Sequence, residues 1–437
     1  MSYKRVLDKN LYLWVIYLIV FLFVVTNDAI YSPDTRSYIN ALPYRHLGYV
    51  IFLKVFKFIF SGFFDLSVLI FQAAFTLTAV HLFLKKISQI LKINSIARIA
   101  LLIILLFPFF KPLSVANNIC PEGISYGLYL LFVVYGLEIL FNENRKKWIA
   151  FIIIYLALTL TRGQFILMPF IIAFVYIFNN KSKRPRRSII LKSALIISLP
   201  FFLSLIDSTY HKLKDGIFMT TPFGFVAASG SAFYVSESSD IDSIESVNDK
   251  TVFKLCYAKL SQEKLLLSQQ DNAQSDALNY NYFHNKVPEI CNQTVHYLGK
   301  DFYYQKEILN ENNTKLAHAK AYYNIEKTCR NITLTLINSN FKKWMRIYYA
   351  NISHGFYSSV FFLLVLGVFL FSLIKFLFHP DNKLILLLFV LSAFTLSNAM
   401  LIAFASHSII RYLFYNYVLI FISVIILIKL LKHGIKN

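Results

Sequence analysis

The chain has 437 residues, of which 57% are hydrophobic and only 15% are charged, and its mean hydropathy is +0.55. This composition excludes a soluble domain with an ordinary polar surface. The net charge of +21 collects in short segments between apolar runs, which indicates membrane topology and contact with anionic lipid and argues against nucleic-acid binding. The sequence therefore predicts an all-α polytopic membrane protein.

Ten apolar runs meet or approach the length of about 20 residues that a helix needs to cross a bilayer. They are 11–26, 63–84, 96–110, 124–141, 148–161, 164–179, 188–206, 355–378, 383–404 and 411–431. Lys and Arg collect in alternate loops, which predicts that both termini are cytoplasmic. The first run lacks an A-x-A-like cleavage site, so we expect a retained span and not a removed signal peptide.

Two segments on the non-cytoplasmic side are long. The first outer loop, 27–62, contains an apolar stretch broken by Lys54 and Lys57, which is typical of an amphipathic helix in the membrane interface. The second, 207–354, is predicted to be a small helical lobe that opens with a loop over 218–235. The predicted units are therefore an N-terminal transmembrane module 1–206, the extracytoplasmic lobe 207–354 and the C-terminal transmembrane helices 355–437.

Four cysteines are present, and their spacing matches no metal motif. Cys120, Cys256, Cys291 and Cys329 are far apart along the chain, and none belongs to a C-x-x-C pair. We expect unpaired thiols, or at most one bridge.

Ionisable side chains at the outer ends of the spans are the candidate functional residues, since a charge within a membrane is costly. They are Asp34, Arg36, Arg45 and His46 after the first span, Lys111 and Glu122 between the third and fourth, Arg162 between the fifth and sixth, and His407 and Arg411 before the tenth. The set is rich in cations, and the guanidinium fork of Arg matches phosphate oxygens. The pattern favours an anionic ligand, such as the phosphate of a lipid.

Each candidate also has a purely structural interpretation. Asp34 in "SPDTRSY" is suited to accept backbone N–H bonds at a helix start, and Glu122 is suited to a helix N-terminus. The arginines at span ends can extend to lipid headgroups. His46 can be an ordinary interfacial histidine.

The order of these segments resembles the GT-C superfamily of integral-membrane glycosyltransferases, in the branch of protein O-mannosyltransferases and bacterial lipid A aminoarabinose transferases. "SPDTRSY" resembles the acidic motif of its first outer loop, and "RHLGYVIFL" its R-P-P-G-Y-P segment. "CPEGISYGLYLLFVVYGLEIL" is similar to its fourth span with an acidic start, "LTLTRGQFILMPFIIAF" to its R-P-x-x-L-L-x-P turn and helix, and "RYLFYNYVLIFISVIILI" to its closing span. The resemblance covers about residues 30–180 and the last span, and the lobe matches only in position.

The resemblance implies a sugar transfer from a polyprenyl-phosphate donor to a hydroxyl of a glycan, lipid or protein acceptor, in bacterial cell-surface glycan or glycoconjugate synthesis. It assigns Asp34 as the catalytic base. The implied donor-phosphate ligands are Arg36, Arg45, Arg162 and Arg411, with His46, Glu122, Lys111 and His407 in support. The abundance of Ile, Phe, Lys, Asn and Tyr is typical of an AT-rich genome, so we expect a bacterial inner membrane, with the site facing the periplasm or the cell exterior.

No cofactor is predicted from these residues. The family often has two adjacent acids in the first loop, whereas Thr35 follows Asp34, so a divalent metal has no acidic pair to support it. His46 and Leu47 also replace the two prolines of the family segment.

Two other functions stay open. One is a polysaccharide polymerase or oligosaccharide-to-protein transferase that uses a lipid-linked glycan. The other is a transporter of a lipid-linked solute, although that would place charges near the bilayer midplane.

Overall fold

The computed structural model describes residues 11–142, 144–181, 183, 185–270, 275–311 and 313–433. Helix makes up 82% of the structure, and its described residues form no strand. An isolated bridge joins Ile30 to Asn118. The predicted all-α class is confirmed.

The α-helices are numbered in chain order, with α1–α9 in the first half of the chain and α10–α19 in the second. The first half contains α1 (Leu11–Thr26), α2 (Thr35–Ile39), α3 (Leu47–Phe60), α4 (Phe64–Leu91), α5 (Ser95–Leu106), α6 (Glu122–Phe141), α7 (Arg145–Thr161), α8 (Met168–Asn180) and α9 (Arg186–Asp215). The second half contains α10 (Gly224–Tyr234), α11 (Val247–Gln262), α12 (Asp276–Cys291), α13 (Lys300–Ile308), α14 (Thr314–Ser339), α15 (Phe341–Gly355), α16 (Ser359–Phe378), α17 (Lys383–Ala405), α18 (Ile410–Leu413) and α19 (Tyr415–His433). A π-helix, Asn292–Gly299, joins α12 to α13.

Within the described residues, seven helical segments are long and apolar enough to cross a membrane. They are Leu47–Leu91, Glu122–Phe141, Gly163–Asn180, Arg186–Asp215, Ser359–Phe378, Lys383–Ala405 and Tyr415–Lys432. The other three predicted spans also form helices, but α1, α5 and α7 have only 16, 12 and 17 residues. The structure thus fits an integral membrane protein, and ten spans are not established.

Polar residues in the short loops explain where several helices begin. The side chains of Asn94, Asn144, Ser358 and Asn382 each accept a backbone N–H from the first turn of α5, α7, α16 and α17, respectively. Such caps satisfy amide groups that otherwise have no partner at a helix start. The apolar helices are therefore bounded by local sequence signals.

Two expectations about the start of the lobe need correction. Helix α9 does not end with the apolar run at 206 but continues to Asp215. The stretch 218–235, expected as a loop, contains helix α10. Pro200 lies inside α9, so the structure tolerates a residue that usually ends a helix in water.

Separate groups of buried side chains hold the two parts of the fold. The largest apolar core joins α1 and α3–α9 to α16, α17 and α19. A second core lies among α10–α15 and includes Phe233, Phe253 and Ile325. The buried side chains from Val226 to Ala350 thus share an apolar interior of their own.

Asn351 joins the lobe to the loop that follows α17. Its Nδ2 donates to the carbonyl oxygens of Ala403 and Ser406, each at 2.8 Å. Its Oδ1 accepts from the Ser408 backbone N–H at 2.8 Å and from the Tyr280 hydroxyl at 2.6 Å. One buried amide therefore holds residues 403–408 by three hydrogen bonds and is itself held by a fourth from Tyr280 of the lobe.

Candidate functional site

Charged residues from four distant parts of the sequence meet in one chain of ion pairs. Asp34 Oδ1 accepts from Arg45 Nη2 at 2.7 Å, and Asp34 Oδ2 accepts from Arg411 Nη1 at 2.9 Å. Arg411 also donates from Nε and Nη2 to the Glu122 carboxylate. Arg162 Nη1 lies 2.7 Å from Glu122 Oε1. We call Arg45, Asp34, Arg411, Glu122 and Arg162 the arginine–carboxylate network.

Every member of the network lies at a helix end. Asp34 precedes α2, Arg45 lies between α2 and α3, Glu122 opens α6, Arg162 follows α7, and Arg411 lies in α18. Asp34 stands at the N-cap of α2, but its side chain makes no cap hydrogen bond. The carboxylate of Asp34 is therefore used by guanidinium groups, and the capping interpretation does not describe this structure.

Ser37 and two aromatic rings fix the guanidinium of Arg45. Arg45 Nε donates to Ser37 Oγ at 2.7 Å. Its guanidinium carbon lies 4.8 Å from the ring centroid of Tyr38 and 4.6 Å from that of Tyr44. Cation–π contacts hold the planar group in one orientation, so Arg45 does not behave as a mobile surface cation.

Arg162 is supported by a row of side-chain amides that sequence reasoning missed. Its Nε donates to Gln164 Oε1 at 2.6 Å. Gln164 Nε2 in turn donates to Asn398 Oδ1 and to the Tyr412 carbonyl, both at 3.0 Å. Asn398 Nδ2 continues the row to Asn416 Oδ1 at 3.0 Å. The available signal was an uncharged amide within an apolar span, because such a group needs an internal partner.

The network has an excess of positive charge. Three arginines and two carboxylates leave a formal charge of +1. Burial would raise the pKa of Asp34, but the guanidinium groups of Arg45 and Arg411 outweigh burial, and the pKa of this carboxyl is lowered. Asp34 is therefore ionised at neutral pH. A bound monoanion would neutralise the whole site.

Two cavities meet at Asp34 and Arg45. The smaller, of about 360 Å³, reaches Arg162 and Arg411 and is lined on one side by Leu401 and Ile402 of α17. The larger, of about 460 Å³, extends into the lobe and has a more polar lining. Its lobe side includes His284, Asn285, Glu289, Asn292 and His296. Asp34, Arg45 and Tyr412 line both cavities, so these three side chains lie between a largely apolar cavity and a more polar one.

The two predicted histidines lie in different cavities. His46 lines the smaller one, and its Nε2 accepts from the Gly163 backbone N–H at 3.4 Å. His407 lines the larger one, with its ring centroid 5.2 Å from that of His284. Burial lowers the pKa of His46 and lowers that of His407 to about 4. Both imidazoles are neutral at pH 7, so they add hydrogen-bonding groups and not charge.

The structure does not bring Arg36 and Lys111 into the network. Both side chains are exposed, and neither residue lines the two cavities at Asp34. Arg36 lies within α2, two residues from Asp34. Contact of these two cations with lipid headgroups remains the simpler interpretation.

The unexpected end of α9 shapes one wall of the smaller cavity. Asp207 Oδ2 accepts from the Thr221 backbone N–H at 2.6 Å. A hydrogen bond of 2.7 Å joins His211 Nδ1 to Asp215 Oδ2 one turn further on. Thr221 lines the cavity. The spacing Asp-x₃-His-x₃-Asp places these side chains on one face of a helix, and that periodicity was a signal that sequence reasoning did not use.

Glu326 of α14 caps helix α10 from 100 residues away. Its carboxylate accepts the backbone N–H groups of Phe225 at 2.8 Å and Val226 at 3.0 Å. Backbone N–H groups in the first turn of a helix have no acceptor within the helix, and Glu326 supplies one for two of them in α10. Gly224, which opens α10, lines the smaller cavity. The lobe therefore contributes directly to the geometry of the site.

The described residues contain no group of three or more His, Cys, Asp or Glu side chains that could hold a metal ion. In the network, both carboxylates form ion pairs with guanidinium groups. Of the two network carboxylates, Asp34 lines both cavities, and Glu122 lines neither.

Comparison with protein-family models, with curated proteins and with solved structures finds no match to this chain. The function of the site is therefore argued from its own chemistry.

Proposed function

We propose that this protein is an integral-membrane glycosyltransferase that moves a sugar from a polyprenyl-phosphate donor to a hydroxyl acceptor on the extracytoplasmic face of a bacterial inner membrane. One observation carries the proposal. Three arginines line the smaller, largely apolar cavity together with Asp34, and Asp34 and Arg45 also line the more polar cavity beside it. The resemblance of the sequence to the GT-C superfamily supports the same conclusion, and the Lys and Arg in alternate loops support both termini on the cytoplasmic side.

The donor is assigned to the smaller cavity. Arg162 and Arg411 line it together with Leu401 and Ile402. The phosphate of the donor would contact the guanidinium groups, and its lipid chain would contact the apolar side chains. Each guanidinium has five N–H donors, and the network uses only part of them. The excess charge of +1 suits a phosphodiester anion, which binds most tightly where fixed dipoles and charges are already in place.

The acceptor is assigned to the larger cavity. Its lobe side has amides and imidazoles, such as Asn285, Asn292 and His296. These groups are suited to the hydroxyls of a carbohydrate. Asp34 lines both cavities and is therefore within reach of a hydroxyl that arrives next to the donor phosphate.

The proposed reaction is a single displacement. The acceptor oxygen forms a bond to the anomeric carbon while the bond from that carbon to the phosphate oxygen breaks. The hydroxyl proton passes to Asp34, and the electron pair of the broken bond leaves with the phosphate, where Arg162 and Arg411 stabilise it. A donor phosphate that competes for Arg411 would weaken the ion pair of Arg411 with Asp34, which raises the basicity of the carboxylate when both substrates are present.

A second candidate is transfer of a whole lipid-linked glycan, as in a polymerase or an oligosaccharide-to-protein transferase. The observation in its favour is the volume of the larger cavity, about 460 Å³. A transporter receives less support, because each member of the network lies at a helix end and not in the middle of a span.

The test is binding of undecaprenyl phosphate to the purified full chain in lipid nanodiscs. We compare wild type with Arg162→Gln and Arg411→Gln, and Arg36→Gln is the matched control because Arg36 lies outside the network. Losing a charge-assisted hydrogen bond should weaken binding by roughly 10- to 100-fold in the first two variants. Arg36→Gln should bind as wild type does. The proposal fails if wild type shows no saturable binding, or if Arg36→Gln loses as much affinity as Arg411→Gln.

A further inference from the structure

Three of the four cysteines lie in the core of the lobe. Cys256 belongs to α11, Cys291 is the last residue of α12, and Cys329 belongs to α14. All are buried thiols in the structure. The Sγ atoms of Cys256 and Cys291 are 3.6 Å apart. Cys120 lies elsewhere, with its Sγ 2.7 Å from Ser32 Oγ.

We propose that Cys256 and Cys291 form a disulfide bond in the mature protein. The inference rests on the extracytoplasmic position of the lobe in the proposed function, because disulfides persist in oxidising compartments. The two sulfur atoms need to approach by only about 1.5 Å to reach the bond length of about 2.05 Å. Helices α11 and α12 pack against each other, so side-chain rotation with a small helix shift closes this gap.

The oxidant is a disulfide-bearing thiol oxidant, RSSR. Cys291 lines the larger cavity, which gives the oxidant a path to its sulfur. The Cys291 thiolate attacks RSSR and releases one RSH, and the Cys256 thiolate then attacks the Cys291 sulfur of the mixed disulfide and releases the second. Two S–H bonds are lost, one S–S bond forms, and the two electrons and two protons end on two RSH molecules.

The environment of the pair also sets when the bond forms. The hydrogen bond with Cys256 and burial together raise the pKa of the Cys291 thiol. A thiol with a raised pKa has little reactive thiolate at neutral pH. Oxidation is therefore fastest while the lobe folds, before its core excludes water.

The bond would stiffen the wall of the acceptor cavity. Cys291 is followed directly by the π-helix Asn292–Gly299. Asn292 and His296 of that segment line the larger cavity. A link from α11 to the start of this segment therefore holds polar groups that face the proposed acceptor.

The experiment maps thiols in the full chain purified from membranes. Free thiols are blocked with N-ethylmaleimide under denaturing conditions, and peptides are then analysed by mass spectrometry with and without reduction. We expect a linked Cys256–Cys291 peptide, with Cys120 and Cys329 alkylated. Four alkylated cysteines, or a link that includes Cys329 or Cys120, would overturn the proposal.

Variants give a second measurement. Cys256→Ser should leave Cys291 open to alkylation and lower the melting temperature of the lobe by roughly 10 °C. Reduction of the wild type should produce the same loss, whereas Cys120→Ser should keep the linked peptide. An unchanged melting temperature on reduction of the wild type would contradict the proposal. Binding of undecaprenyl phosphate to the same preparations is a separate readout, so failure of the disulfide and failure of the proposed function are distinguishable.

Discussion

Replacing Asp34 by Asn tests the proposed base more directly than any other change, since the two side chains have nearly the same shape. The variant removes the negative charge that faces both cavities and raises the formal charge of the network from +1 to +2. The two guanidinium groups that pair with Asp34 keep their other partners, Ser37 for Arg45 and Glu122 for Arg411. We therefore expect the variant to fold.

The size of each effect follows from the geometry. The amide keeps one acceptor oxygen and turns an NH2 donor toward the other guanidinium, so one charge-assisted hydrogen bond is lost and the other is weakened. This should cost about 2–3 kcal/mol of stability, and the partial exposure of Asp34 reduces the figure. Undecaprenyl phosphate should bind at least as tightly as in wild type, because a competing anion is gone. Transfer should fall by roughly 10²- to 10⁴-fold, the usual contribution of a general base.

The assay measures release of polyprenyl phosphate from undecaprenyl-phosphate sugars by membranes that contain each variant, with lipid binding measured on purified protein. Asp28→Asn is the matched control, since Asp28 is an exposed acid in the same loop and should retain wild-type activity. Turnover by Asp34→Asn within tenfold of wild type would refute the role of Asp34 as base. Loss of lipid binding together with turnover would instead assign Asp34 to maintaining the site.

Three further predictions concern stability and the coupling of the lobe to the site. Glu122→Gln should destabilise the protein by about 3 kcal/mol in a thermal unfolding assay, because it removes the buried carboxylate that two partly buried guanidinium groups share. Burial lowers the pKa of His296 and His407 to about 4, so between about pH 6.5 and 4 the unfolded chain binds more protons than the folded chain. The free energy of unfolding should therefore fall as pH drops through that window. A melting temperature that is equal at pH 7.5 and pH 5 would contradict this. Asn351→Ala should weaken undecaprenyl phosphate binding several-fold, since it removes the bonds that position the loop before Arg411; full affinity in this variant would show that the loop is held by other contacts.

The sequence predicted the candidate site better than it predicted the lobe. Asp34, Glu122 and Arg411 could be grouped in advance because each lies at the end of an apolar run, and the topology assigned those ends to one side of the membrane. Helix α10 could not be predicted in the same way, since its first turn is capped by Glu326 from α14. A local pattern contains no information about a partner 100 residues away.

The same limit explains why the sequence did not distinguish Arg36 from Arg45. Both are arginines that follow Asp34 closely, and either could reach a phosphate. Which arginine pairs with Asp34 depends on the direction of the backbone. Arg36 in α2 is exposed, whereas Arg45, in the turn before α3, donates to Asp34 Oδ1. Gln164 was missed for a different reason. An uncharged amide in an apolar span indicates that a polar partner exists, but it does not indicate that the partner is Asn398.

The network explains how one site could both bind and release a lipid phosphate. If the three arginines had no carboxylate partners, they would hold a phosphate tightly, and the product would leave slowly. Before the donor arrives, Asp34 and Glu122 already form ion pairs with the guanidinium groups. The binding free energy of a phosphate is then only the difference between the contacts it makes and the ion pairs it replaces. Glu122, which is nearly fully buried, keeps Arg162 and Arg411 in place throughout. Asp34, which lines both cavities, is the partner that the donor phosphate would displace. In the proposed reaction, Glu122 is therefore the structural carboxylate and Asp34 the reactive one.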